Sequence, residues 1–598
     1  MGDVFRPGFP AVGRRVALAV ALALSLPTAT LEAKQAGGVF VAPAGEWVVD
    51  KAGEYRSLVI PEGTRVVAPA GKTLTLAVNG VSVPIRPGTY AGKVVLTPAD
   101  DIVVKYHDLE PHHFRTAVYI DNGRYVAGKS VPAAVLGGDV GDGRANGLKV
   151  ESRDERFNGI IVTGDSKYVI DDPVIDLTGN GGNDFAGFGA AIMTSGKADV
   201  VVNRPRIRTR GAVRTAVFVG GHSTLRVNDA DIEVFNGALP PDYKFTIEVG
   251  KMMEVPWMLG LSGNVRATNL VDYGTVYYTN SHIRAQGWGV LSTDDAAVTR
   301  MYVKDSLIET VDSGYGAYSI GDTLDSFSNT TFNVADIGLI MAGQGSGLFT
   351  DGTVVNSRRY GVMMHSGNGG GTLTIEKGSV FNTRTTAIQV KGRGAKVLID
   401  DARIHAGNGV ILQAMVNDDP FLKKMMAGGP PAGPIVGEQA TPAPGPGGMP
   451  GAPPDVGPDV DVVLRNVALN GDFLNTRTEE GALSLKLENA SVVGAISTGA
   501  QAPIGGQEPT PETYWQIGDV VNTLGPASGK HGIDVSVGSG SKWVVTRDSY
   551  LTGLALADGA QIAAPPGYRL TLRVDGKDTT LTPGRYNGRI EFRVQPLR

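Results

Sequence analysis

A short motif returns down the middle of this chain every 22 to 27 residues, and nothing else in the sequence restricts its fold so strongly. Each copy opens with a turn-forming residue, usually Asn or Asp, then two small or polar residues, then an aliphatic or aromatic one. The copies begin at Asn280, Asp305, Asn329, Asp351, Lys377 and Asp401. About ten residues later a second column places Gly or Ala before apolar residues, at Gly289, Gly316, Gly338, Gly361, Ala387 and Gly409. A period of this kind means one small unit stacked on copies of itself.

The unit is too short for a four-stranded propeller blade, and no stretch keeps a 3.6-residue apolar pattern long enough for paired helices. Its apolar pieces are rich in Val, Ile, Thr and Tyr and are broken by Gly and Asn, which reads as three strands and three turns. Asn and Asp at a fixed phase suit a left-handed turn residue. The expected fold is all-β, a right-handed parallel β-helix of about twelve coils over residues 105–540. Over about residues 150 to 500 this repeat resembles the pectin-lyase-like superfamily. That resemblance implies fold more than activity, because the superfamily holds lyases, hydrolases, epimerases and adhesins.

The two ends repeat each other. Trp47–Leu96 aligns without a gap on Trp543–Phe592, and 17 of the 50 positions are identical. LTLAVNG at Leu74 matches LTLRVDG at Leu570, and PGTYAG at Pro87 matches PGRYNG at Pro583. The expected organisation is a β-module at 40–104, the helix at 105–540, and a second copy of the module at 541–598. End caps and duplicated carbohydrate-binding modules both fit the pair. An apolar, aromatic insertion at 239–263 is expected to lie ordered against the helix, and a Pro/Gly/Ala-rich stretch at 427–459 to form a disordered loop.

Arg6, Arg14 and Arg15 precede the apolar run Val16 to Leu26. Residues 1–33 therefore read as a secretory signal, and the mature protein is expected to be secreted or periplasmic. The chain has no cysteine and a net charge of −5, which rules out thiol chemistry and gives no reason to expect nucleic acid.

No motif with a self-contained mechanism is present. GNGGND at Gly179–Asp184 is a single copy and reads as a turn. Equal phase in the repeat offers the better handle. Six residues past the Gly markers stand Asp295, Asp322 and Gln344, and four past them stand His365 and Lys391, with Asp294 between the two phases. Stacking would hold Asp295 and Asp322 roughly 5 Å apart. Such a pair suits a retaining glycosidase or a Ca²⁺ site for eliminating a uronate, and its plainer reading is two turn caps. Trp257, Trp288 and Tyr315 belong to an aromatic-rich stretch on which a sugar could stack, with Arg266 close by as base or anion clamp. Polygalacturonases of this fold carry NTD, DD, GHG and RIK motifs. Here only the Asp294-Asp295 pair matches, so their activity does not carry over. Three functions stand open: a polysaccharide lyase or glycoside hydrolase with a groove along the coils; a non-catalytic adhesin or matrix protein; and an enzyme for a small aromatic or glycosidic compound, with 239–263 as a lid over Trp288 and Tyr315.

Overall fold

A computed structural model describes residues 39–597, apart from 107–108, 295–297, 366–370, 393 and 421–458. The leader expected at 1–33 and nearly all of the loop expected at 427–459 lie outside the described residues. Strands hold 56% of the chain and helices 3%, and the large sheets are parallel, as a parallel β-helix requires. One coil consists of Thr275–Thr279, His282–Ala285 and Gly289–Thr293. The next coil, Thr299–Lys304, Leu307–Thr310 and Tyr315–Ile320, pairs with it strand for strand. These strand positions define three faces. The third face alone runs through thirteen parallel strands, from His112–Asp121 to Ile496–Pro503.

The two sequence columns have separate physical causes. Asn280, Asp305, Asn329, Asp351, Lys377 and Asp401 all sit at the turn between first and second faces, with φ between 46° and 53°. Asn and Asp tolerate that left-handed conformation, and they also link coils. Asn280 Nδ2 donates to Asp229 Oδ1 at 2.6 Å, and Asn329 Nδ2 to Asp305 Oδ1 at 2.7 Å. The same turn extends the column upstream to Asp172, Arg204 and Asp229. The glycine column answers to crowding: a Cβ on Gly338 would stand 2.5 Å from the Gly361 carbonyl oxygen of the next coil.

Alternate residues of each strand point inward and form one continuous apolar core from Ala99 to Phe592. Outward residues on the second face are polar and stack in register. Arg208, Glu233, Arg284 and Glu309 follow one another with alternating charge, and then Asn333, Asn356 and Asn382 form a hydrogen-bonded ladder at 2.9 Å.

The strands of the two terminal segments share their bounds at a constant shift of 496. Gly53–Ile60, Lys72–Val78, Val81–Val83 and Gly88–Asp100 correspond to Ser549–Leu556, Tyr568–Val574, Lys577–Thr579 and Gly584–Pro596. Asn79-Gly80 and Asp575-Gly576 both have positive φ, as a tight two-residue hairpin turn demands. The hairpins differ in what they face. Ala77 and Ser82 are buried, with Ser82 paired opposite Ser152 of the first coils. Their counterparts Arg573 and Asp578 form an exposed ion pair at 3.0 Å.

Asp325 puts an acid among the inward positions. Asp325 points inward from Thr323–Ser328, is fully buried, and neither carboxylate oxygen has a hydrogen-bond partner among the described residues. Burial holds its carboxyl well above the usual carboxylate range, with Arg300 opposing weakly. Between the unfolded and folded pKa values the unfolded chain has released this proton and the folded one has kept it. Stability attributable to Asp325 therefore falls as pH rises above about 4, by about 1.4 kcal/mol per pH unit, until the folded group ionises. Asp325→Asn should remove that slope and raise the neutral-pH melting temperature. Denaturation of both proteins at pH 4.5 and 7.5 checks this, and an equal pH dependence in the two would refute it.

Candidate functional site

The outer face of the third sheet is covered, and the covering begins at one strained turn. Trp288, which precedes Gly289–Thr293, has φ of 63°, a conformation a tryptophan seldom adopts. The turn carries the indole over the neighbouring strand Arg266–Leu270, where it is 3% exposed. Its backbone N–H donates to the Ser262 carbonyl at 2.8 Å, so the end of the 239–263 insertion is bound to the same turn.

That insertion lies across the third face. Its regular structure is the short 3₁₀ turn Trp257–Leu259. Met252, Val255, Leu259 and Leu261 pack on Phe185, Trp288, Tyr315, Tyr318 and Tyr360 as a second apolar cluster outside the helix core. Arg359 fastens the insertion by donating from Nη1 to the Gly260 carbonyl and from Nη2 to the Ile517 carbonyl, both at 2.6 Å. Under this cover lies a cavity of about 40 Å³ bounded by Ile247, Met252, Pro256, Met258, Leu259, Arg266, Trp288, Asp294, Tyr315, Tyr318, His365 and Asp419.

The polar groups of the cavity centre on Arg266, which is 1% exposed. Its guanidinium is flanked by Asp184, with Nε and Nη2 each 2.9 Å from Oδ2, and by Asp294 on Nη1. Above and below stand the rings of Phe185 and Trp288, 4.8 and 4.6 Å away. Burial acts to lower the guanidinium pKa, but Asp184 and Tyr315 outweigh it and hold the cation charged. Burial also drives the Asp184 carboxyl up, against the pull of Arg266. Tyr315 shares a 2.7 Å hydrogen bond with Ser292 Oγ and stacks on Tyr318 at 5.2 Å. Desolvation raises both phenols, so they remain protonated donors at neutral pH. On the opposite wall His365 Nε2 lies 3.3 Å from Asp419 Oδ2. With Asp184 and Asp294 already on its guanidinium, Arg266 has little capacity left to hold an anionic guest.

Five of the residues singled out from sequence meet at this cavity: Arg266, Trp288, Asp294, Tyr315 and His365. Trp257 belongs to its cover and does not line it. Lys391 is buried beside it, 2.7 Å from Asp418 Oδ1. Burial works against the Asp418 carboxylate, yet Lys391 and the Gly518 N–H hold its pKa below the usual range. The expected stacking of Asp295 with Asp322 falls on a residue outside the described ones. Register pairs Gly289 with Tyr315, one residue before the Gly316 marker. A shift of one residue reverses the side on which a side chain points. Asp322 and Gln344 are exposed in turns away from the cavity, and Asp295 lies outside the described residues. A cation does stand between two carboxylates, and it is Arg266, set between Asp184 and Asp294. Among the described residues no three His, Asp or Glu side chains converge as a Ca²⁺ site requires.

Asp184, Tyr318 and Asp419 escaped the sequence reading. Asp184 stands in the GNGGND turn, whose irregular excursion from 181 to 190 folds back onto the third face. Only its 82-residue separation from Arg266 hid the pair. Tyr318 could have been found, because it shares the outward phase of Ser292.

Compared with known protein families, with curated proteins and with solved structures, the chain matches none. Removing one member of a buried ionic cluster leaves the others without compensation. Arg266→Met should therefore lower stability by about 3–5 kcal/mol. Chemical denaturation at pH 7 measures this, and a loss under 1 kcal/mol would show that Asp184 and Asp294 are neutral without their partner.

Proposed function

We propose that this protein is an exported enzyme of the pectin-lyase-like superfamily that cleaves a small, neutral glycosidic or aromatic compound beneath the 239–263 segment. The observation that carries the reading is the gathering of Arg266, Trp288, Asp294, Tyr315, Tyr318, His365 and Asp419 at one covered cavity. Aromatic walls with a few convergent polar groups are the usual form of a small-ligand site. Superfamily membership rests on the coil architecture, and export on the apolar leader that ends near residue 33.

His365, oriented by Asp419, supplies the base or acid. The Tyr315 phenol is the complementary donor, and Trp288 is the ring on which a sugar or aromatic guest stacks. Arg266 is already engaged by Asp184 and Asp294, which leaves it poorly placed to clamp a uronate and weighs against elimination from an acidic polysaccharide. The cavity as it stands holds no more than about two or three waters. A guest enters only if the segment carrying Met252, Met258 and Leu259 lifts, and flexible methionines suit such a moving contact.

The small closed volume favours one rival, a non-catalytic matrix protein in which the same residues simply fasten a strap to the helix. A screen of neutral glycosides with the mature protein separates the two. If the enzyme reading holds, His365→Gln and Asp419→Asn each lower turnover by about a hundredfold, near 2.7 kcal/mol of transition-state stabilisation, while Asp322→Asn stays within about twofold. A guest that quenches tryptophan fluorescence in the wild type, and not in Trp288→Leu, marks the same pocket independently of rate. No turnover and no ligand-dependent fluorescence across neutral glycosides and aromatics would transfer the protein to the matrix class.

A further inference from the structure

A second hollow lies on the third face, near the N-terminal end of the coils and apart from the aromatic cavity. It measures about 300 Å³ and is lined by Pro111, His112, His113, Arg115, Arg156 and Phe188. Its floor is the ring of Phe188, 8% exposed, stacked on Phe114 at 4.4 Å and on His112 at 5.2 Å. Cationic and imidazole groups reach it from two segments, the strand His112–Asp121 and the turn at Arg156, in a chain whose net charge is −5.

Two of these groups are already balanced. His113 Nδ1 is 2.5 Å from Asp101 Oδ2, and Arg115 is paired with Asp154. Arg156 has no carboxylate partner among the described residues and is exposed. Its backbone is held at φ of 58°, in the same place before a third-face strand that Trp288 occupies before its own. Packing does not explain an exposed arginine in a conformation that suits Gly or Asn. Its position does, because the turn directs residue 156 toward the hollow that His112 also enters. His112 Nε2 lies 3.1 Å from Asn183 Nδ2. Burial first, and then the charges of Arg156 and His113, push the His112 imidazole down.

We propose that this hollow binds an oxyanion: a carboxylate, sulfate or phosphate group held by Arg156 and His112 and bordered by the ring of Phe188. Arginine suits the role because its planar fork donates two parallel hydrogen bonds to such a group. The site is independent of the chemistry proposed for the aromatic cavity.

The test titrates the mature full-length protein at pH 6 with inorganic phosphate, inorganic sulfate and galacturonate in separate calorimetric experiments. Arg156→Gly serves as the variant because glycine relieves the left-handed strain. Its melting temperature should equal or exceed that of the wild type while its anion affinity falls at least about tenfold. Arg156→Lys should retain part of the binding. Saturable binding of the inorganic ions supports a site for a free oxyanion. Binding of galacturonate alone supports a site for an acidic sugar whose ring lies on Phe188. No saturable binding of any of the three, or equal binding by Arg156→Gly with its fold intact, overturns the proposal.

Discussion

Parallel stacking of one coil on the next is the constraint from which the rest of this protein follows. Each strand hydrogen-bonds to the same strand of its neighbours, so the pitch is fixed at roughly 4.8 Å and every position meets its own counterpart above and below. Interior positions must then be apolar in coil after coil. Exterior positions must tolerate a neighbour of their own kind, and like charges stacked at that distance repel. The alternation of Arg208, Glu233, Arg284 and Glu309 resolves this on the second face, and the amide ladder from Asn333 to Asn382 resolves it without charge.

The third face departs from this economy. Its outward residues are buried and include aromatic, apolar, ionic and neutral polar groups such as Asn269, Gln389 and Gln413, and they are covered by chain that does not belong to the coils: the excursion from 181 to 190, the 239–263 insertion and the backbone at Ile517–Asp519. A buried guanidinium between two carboxylates is a costly way to stabilise a fold, since apolar residues of the same volume often do as well. Arg266 nonetheless crosses 82 residues to meet Asp184, and Arg359 crosses 158 to meet Ile517. Polar groups concentrated under such a cover, on one face only, are what the proposed site is built from.

How much of this was legible in the sequence follows from the same constraint. The turn residues and the glycine column report local geometry, left-handed φ and a carbonyl in the way of a Cβ, so they could be read without knowing what lay next to them. Register could not. Gly289 pairs with Tyr315 and not with the Gly316 marker, so counting from markers displaces that coil by a single residue. Arg266, Trp288, Asp294, Tyr315 and His365 were found as candidates because composition flags them singly. Their meeting depends on Trp288 adopting a positive φ and on the insertion folding over them, and neither leaves a periodic mark. Asp419 lies just before the residues outside the described structure and carried no signal.

The duplicated ends show the same sequence pattern serving two environments. Both hairpins keep the two-residue turn and an apolar face, since those positions answer to their own fold. What changes is the far face. Small residues at Ala77 and Ser82 let the first hairpin approach the coil closely enough for Ser82 to pair with Ser152, whereas Arg573 and Asp578 satisfy each other in solvent and present charge along an otherwise open edge. Charge at such an edge discourages another strand from adding to it. Trp543 and Trp47 carry the converse lesson. Trp543 is fully buried and donates from Nε1 to the Gly494 carbonyl of the preceding coil, whereas Trp47, at the other end of the stack, is half-buried beside Phe40. A module of one sequence pattern is thus finished differently at each end by a handful of substitutions, because a stack of coils has two unlike edges and each must be closed by its own chemistry.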